Sequence, residues 1–114
     1  MSHIEITIGQ LLEQIQLHEW NHWVYVVDPD NVSPKTVCFV IDVDNADLED
    51  DDFTPSIAAL NGLSEFLSVQ DIQDVRGYLA NVGVSENPKA ELFAVQYYFK
   101  WDAYPSERAL AELD

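Results

Sequence analysis

The chain has 114 residues, and its 21 acidic side chains against 5 Lys and Arg give a formal net charge of −16. Such a balance excludes binding nucleic acid through its phosphates, which needs a Lys/Arg footprint, and it disfavours anionic membrane surfaces. A hydrophobic content of 47% excludes disorder, which combines high charge with low hydrophobicity.

The length suits one domain with one core, spanning 1–114. The opening MSHIEITIGQ has no basic stretch and no long apolar run, so it does not read as a secretory signal. The longest apolar runs are too short to cross a bilayer. A cytoplasmic protein is expected. The single Cys38 has no partner for an internal disulfide; within TVCFVID it reads as a small buried hydrophobe.

In chain order, Thr7 offers an N-cap, and Ile8, Leu11, Leu12 and Ile15 recur at helical spacing, which predicts a helix over 8–19. IEITI at the start competes with that helix as a strand. HWVYVV and TVCFVIDV are β-like runs separated by the turn formers DPDNVSP, which predicts an antiparallel hairpin. An acidic loop follows from Asp42 to Asp52. TPSIAALNGLSEFLS reads as helical in part, with Gly62 weakening its middle. Ser68 and Asp71 have capping-box spacing ahead of Ile72, Val75 and Leu79, predicting a helix over 69–81 that Gly83 stops. Asn87 and Pro88 open a last long helix with Leu92, Val95 and Phe99 on one face, and Pro105 ends it. The tail SERALAELD adds a short amphipathic turn or frays. The expectation is an α+β fold: a small antiparallel sheet of two or three strands with three to four helices.

HEWNH matches H-E-x-x-H, in which His18 and His22 would hold zinc and Glu19 would act as general base. The motif falls where its helix should be ending, and His3 is the only other histidine. We read it as a polar helix end whose imidazoles help the last carbonyls, and expect no metal and no cofactor. The run DVDNADLEDDD places Asp42, Asp44, Asp47, Glu49, Asp50, Asp51 and Asp52 among eleven residues. Read as an EF-hand from Asp42, it fails at position 5 (Ala46), position 6 (Asp47) and position 12 (Phe53). What remains is a nonspecific divalent site at most, a solvated loop, or a recognition surface for a basic partner.

Charge distribution favours the last of these. Residues 1–75 hold 15 acids and one base, Lys35, whereas 76–114 hold six acids and four bases. Self-repulsion on that scale works against the compact state, so a compensating use is expected, and steering toward a positive protein is the obvious one. Trp20, Trp23, Tyr25 and Phe53 are candidate anchors inside an acidic rim, with Trp23 and Tyr25 favoured as core because they lie on a strand. The aromatic cluster YYFKWDAY, from Tyr97 to Tyr104, is read as core. No Ser/His/Asp triad, phosphate loop or CxxC pair is present.

With its high acidity, small size and the segments SVQDIQDV and AVQYYFKWDAY, the chain resembles a family of small bacterial domains. It is similar in general character to immunity proteins of toxin systems, including contact-dependent growth inhibition. The resemblance implies a non-enzymatic inhibitor that binds a basic cognate toxin domain, a nuclease above all, by plugging its active site or an exosite. The 42–52 carboxylates, extended by Asp71 and Asp74, are the expected contact surface. The alternatives are a nucleic-acid mimic that antagonises a DNA-binding or phage-defence protein, and a zinc hydrolase built on HEWNH.

Overall fold

The structure, a computed structural model, describes residues 3–84 and 87–113. The elements are β1 (His3–Thr7), α1 (Ile8–Glu13), a 3-10 turn (Ile15–Leu17), β2 (Trp23–Val26), β3 (Val37–Ile41), α2 (Ser56–Leu60), β4 (Ser64–Ser68), α3 (Val69–Asn81), α4 (Pro88–Trp101) and α5 (Glu107–Ala111). The fold is α+β, but among the described residues it has a four-stranded antiparallel sheet in the order β1-β3-β2-β4 and five helices, more of each than expected.

IEITI is strand and helix start in succession. β1 ends at Thr7, whose hydroxyl accepts from Gln10 N (3.2 Å) while the Gln10 side chain accepts from Thr7 N (3.0 Å), a reciprocal cap that switches strand to helix within one residue. The same device joins β4 to α3 through Ser68 and Asp71. Asn87 caps α4, with Pro88 in its first turn. The expected hairpin is β2–β3.

The stretch read as helical in part is helical only over α2; its end, SEFLS, is the edge strand β4. The chain stops α2 at Asn61 and Gly62, where Gly62 takes φ +64°. Gly62 N then donates to Ala59 O, and Leu63 N to Ala58 O. Gly83 closes α3 in the same way, with φ +79° and bonds from Gly83 N to Ala80 O and from Val84 N to Leu79 O. These are paired 5→2 and 6→1 helix terminations that need a left-handed residue. Gly62 is thus a stop and not a weak spot. The predicted 8–19 helix also ends early, at Glu13. Its freed carbonyls are taken up by α3: the Arg76 guanidinium donates to Leu12 O (3.0 Å), and the Gln73 amide donates to Ile15 O (3.0 Å) and His18 O (3.1 Å).

Alternation along β2 and β3 divides the interior. Val24, Val26, Cys38 and Val40 face α1, α3 and α4, where Leu11, Ile15, Ile72, Val75, Leu79 and Val95 complete the main core. Tyr25, Phe39 and Ile41 face the other way, and Ala58, with the half-buried Val43, Ala46, Ile57 and Leu63, closes over them. The acidic segment is therefore not a free loop. It folds back across the second face of the sheet, tied by a bridge between Leu48 and Pro55 and by Ser56 N donating to Asp47 O (2.8 Å). Cys38 is fully buried as expected, and burial pushes its thiol up to about 12.

On α4 the deepest residues are Ala90, Glu91, Ala94 and Val95, with Leu92 and Phe99 only partly covered. The aromatic cluster is less buried than expected. Trp101 and Tyr104 are exposed, Tyr98 stacks on Tyr104 (5.5 Å between ring centroids), and Tyr104 stacks on Tyr78 (4.7 Å). The helix stops at Asp102 in a left-handed conformation, ahead of Pro105. Among the described residues no helix is long and apolar enough to cross a membrane.

Candidate binding surface

The seven carboxylates of 42–52 divide by what they touch. Asp42 accepts from the Asn45 amide (2.7 Å) and lies 3.8 Å from His22 Nε2; Asp44 accepts from the Asn21 amide (3.2 Å); Glu49 accepts from the Ser56 hydroxyl (2.7 Å). Asp51 is the keystone of the tip, accepting from Phe53 N (2.9 Å), Thr54 N (2.8 Å) and the Thr54 hydroxyl (2.6 Å). The Thr54 hydroxyl, and then the backbone amides of Thr54 and Phe53, hold the Asp51 carboxyl below the usual carboxylate range. Asp47, Asp50 and Asp52 accept no hydrogen bond in their side chains among the described residues. Asp52 takes φ +63°, which turns the tip so that Phe53 stands out, 81% exposed.

The second acidic group is reached through the 18–22 turn. Asn21 holds Asp44, Gln70 N donates to Trp20 O (3.1 Å), and the Gln70 amide donates to Asp74 Oδ1 (2.9 Å). Trp20, 62% exposed, therefore lies on a turn bonded to both acidic segments. Asp71 is committed to its cap, and Asp71 and Asp74 add negative charge near Tyr98 and Tyr104. Burial first, and these carboxylates in part, push both phenols above their ordinary range. Tyr25 is raised to about 12 by burial, then by Glu65 and Asp51. Of the four candidate anchors, Tyr25 is core, Trp23 is packed beside it, and Trp20 and Phe53 are free.

HEWNH is not on a helix. His18 ends the 3-10 turn with extended backbone, and His22 N donates to Glu19 O (3.1 Å) in the turn that follows. Nor do the imidazoles serve the last carbonyls, which Gln73 takes instead. His3, His18, His22 and Asp42 instead line a small cleft of about 160 Å³ at one end of the sheet. Burial, then the neighbouring His22, lower the His18 pKa; its Nε2 and the Asp42 Oδ1 are buried without a hydrogen-bond partner. Among the described residues no three His, Cys, Asp or Glu side chains are placed to hold a metal ion.

A buried charge escaped the sequence reading. Glu91 on α4 is 6% exposed, and its carboxylate lies 3.7 Å from the Arg76 guanidinium of α3. Periodicity placed Leu92, Val95 and Phe99 on one face and said nothing of Glu91; only the packing of α3 against α4 supplies the guanidinium. Burial pushes the Glu91 carboxyl above the usual carboxylate range, and Arg76 opposes this only in part. The folded state thus keeps this proton to a higher pH than the unfolded chain. The Glu91 contribution is most favourable below the unfolded-state pKa and declines as pH rises through the folded one. Glu91→Gln removes the decline, so the variant gains on the parent between pH 4 and pH 7 in thermal unfolding. An equal gap between the two proteins at both pH values would show that Glu91 ionises without penalty.

Fold and surface together define a small α+β domain with a structured acidic face. The chain belongs to the family described as Domain of unknown function (DUF7716), whose model matches residues 5–106. No curated protein and no solved structure matches it.

Proposed function

We propose that this domain is a non-enzymatic, cytoplasmic inhibitor that binds a basic protein, and that the partner is a cognate toxin domain, a nuclease above all. The observation that carries this reading is the placing of exposed aromatics beside carboxylates. Phe53 follows Asp50 and Asp52, whose side chains accept no hydrogen bond among the described residues, and Trp20 stands on the turn bonded to the segments of Asp44 and Asp74. Protein interfaces concentrate binding energy in such aromatic anchors and use the charged rim for steering. Inhibition then follows by occlusion: Asp47, Asp50 and Asp52 pair with the Lys and Arg groups that otherwise hold nucleic-acid phosphates. The hydrogen-bonded loop supports this, because a preorganised surface loses less conformational entropy on binding than a disordered acidic run.

The test is growth. The product of the adjacent gene is expressed alone and together with this chain. Arrest by the first and relief by co-expression are expected, with relief lost in a Trp20→Ala/Phe53→Ala double variant whose circular dichroism matches the parent. No arrest, no relief, or full relief by the double variant would each end this reading.

A further inference from the structure

We propose that the cleft between α1, the 33–36 turn and the start of α4 binds a primary ammonium group on a short aliphatic stem, with the head at Glu91. The cleft has a volume of about 360 Å³, at the small end of the range of roughly 300–1,000 Å³ for ligand sites. Leu12, Pro34, Pro88 and Leu92 make its walls apolar. Three charged side chains enter it: Glu13, Arg76 and Glu91. Two carboxylates against one guanidinium leave the cleft negative, so it selects a cation over an anion.

Arg76 is already engaged, since its Nη1 donates to Leu12 O at 3.0 Å. Its Nη2 is 3.7 Å from Glu91 Oε1, beyond hydrogen-bonding distance. The Glu91 side chain is 8% exposed and accepts no hydrogen bond among the described residues. A carboxylate this buried is normally hydrogen-bonded. An ammonium supplies the donors it lacks, and the apolar walls take the stem. The site is preformed: Gly9 N donates to Pro34 O at 2.9 Å, and a Cβ on Gly9 would stand 3.0 Å from that oxygen, so a larger residue would push the turn off α1 by a few tenths of an ångström. The cleft lies at the end of β3 where the strand begins, away from the acidic segment that follows Ile41, so the inference stands apart from the inhibitor reading.

The ammonium comes either from a free aliphatic amine or from a lysine side chain, and one titration separates them. The folded chain is titrated with n-pentylammonium, pentanol, pentanoate and the peptide acetyl-Gly-Lys-Gly-amide while its amide resonances are followed. Pentylammonium is expected to shift the amides of Leu12, Glu91 and Leu92 at millimolar concentration and to bind at least fivefold tighter than pentanol or pentanoate. Peptide binding of equal strength assigns the site to lysine side chains; binding of pentylammonium alone assigns it to free amines. Glu91→Gln is expected to weaken binding at least tenfold. Glu13→Gln, at an exposed position, weakens it severalfold and gives the answer should the first variant not fold. Pentanoate or pentanol binding as tightly as the amine, no shifts with any ligand, or unaltered binding in both variants overturns the proposal.

Discussion

Replacing Phe66 by Ala is expected to destabilise the fold by about 3 kcal/mol, within the range for removing a buried aromatic ring. Phe66 is buried in the main core, and its ring meets Phe99 of α4 at 4.9 Å between centroids with a 39° tilt. The ring thus fastens an edge strand to the long helix. With it gone, a cavity opens between β4 and α4 that Phe99, itself partly exposed, fills only in part. Urea unfolding should show a lower midpoint at an unchanged slope, the signature of lost stability without altered compactness. Leu60→Ala is the matching control: Leu60 is 84% exposed at the end of α2, so its loss stays within about 0.5 kcal/mol. The segments SIAAL and SEFLS lie on either side of the turn at Asn61 and Gly62, the first a helix and the second a strand. Equal effects of the two substitutions would mean that β4 does not pack as described.

That segment shows what was legible in the chain and what was not. Caps are local chemistry, so Thr7, Ser68 with Asp71, and Asn87 with Pro88 mark their helix starts correctly, and Gly83 marks a stop. Gly62 carries the same signal after Asn61, but the apolar residues on both sides of it fit one helical period, and the period masked the stop. β4 was further hidden by the irregular register between Trp23 and Tyr25 of β2. Trp23 faces Ser68 while Tyr25 faces Glu65, so β4 carries an extra residue and both Phe66 and Leu67 turn inward. A strand with two adjacent buried residues lacks the alternation that identifies strands. The early end of α1 is a tertiary effect, since its loose carbonyls depend on Arg76 and Gln73, some sixty residues away.

The acidic segment divides along the same line. Its place in the chain and its exposure follow from composition. Which carboxylates are free does not, because that depends on neighbours such as Asn21, Thr54 and Ser56 reaching across turns. The division matters for experiment. Neutralising Asp50, Asp51 and Asp52 together would confuse two effects, since Asp51→Asn loses acceptor strength at a tip held by three donors. A loss of binding there would report a collapsed loop as readily as a lost charge.

The informative variant is Asp47→Asn/Asp50→Asn/Asp52→Asn. It keeps every hydrogen bond described in the loop and reduces the net charge from −16 by three. Electrostatic steering raises association from a neutral baseline of about 10⁵–10⁶ M⁻¹s⁻¹ toward 10⁸–10⁹ M⁻¹s⁻¹ at low salt, so removing three of the charges nearest the contact should slow association with the adjacent-gene product about tenfold. Stopped-flow fluorescence reads this directly. Because Trp20 and Phe53 remain, dissociation should change little, and the loss should shrink as added salt screens the parent's advantage. The folded state should gain slightly, because like charges on one compact face repel. The two effects run in opposite directions, which separates a binding defect from a folding defect. A variant that associates as fast as the parent, with the same salt dependence, would falsify the role of this face in steering and leave its charge as a cost to stability without a matching use.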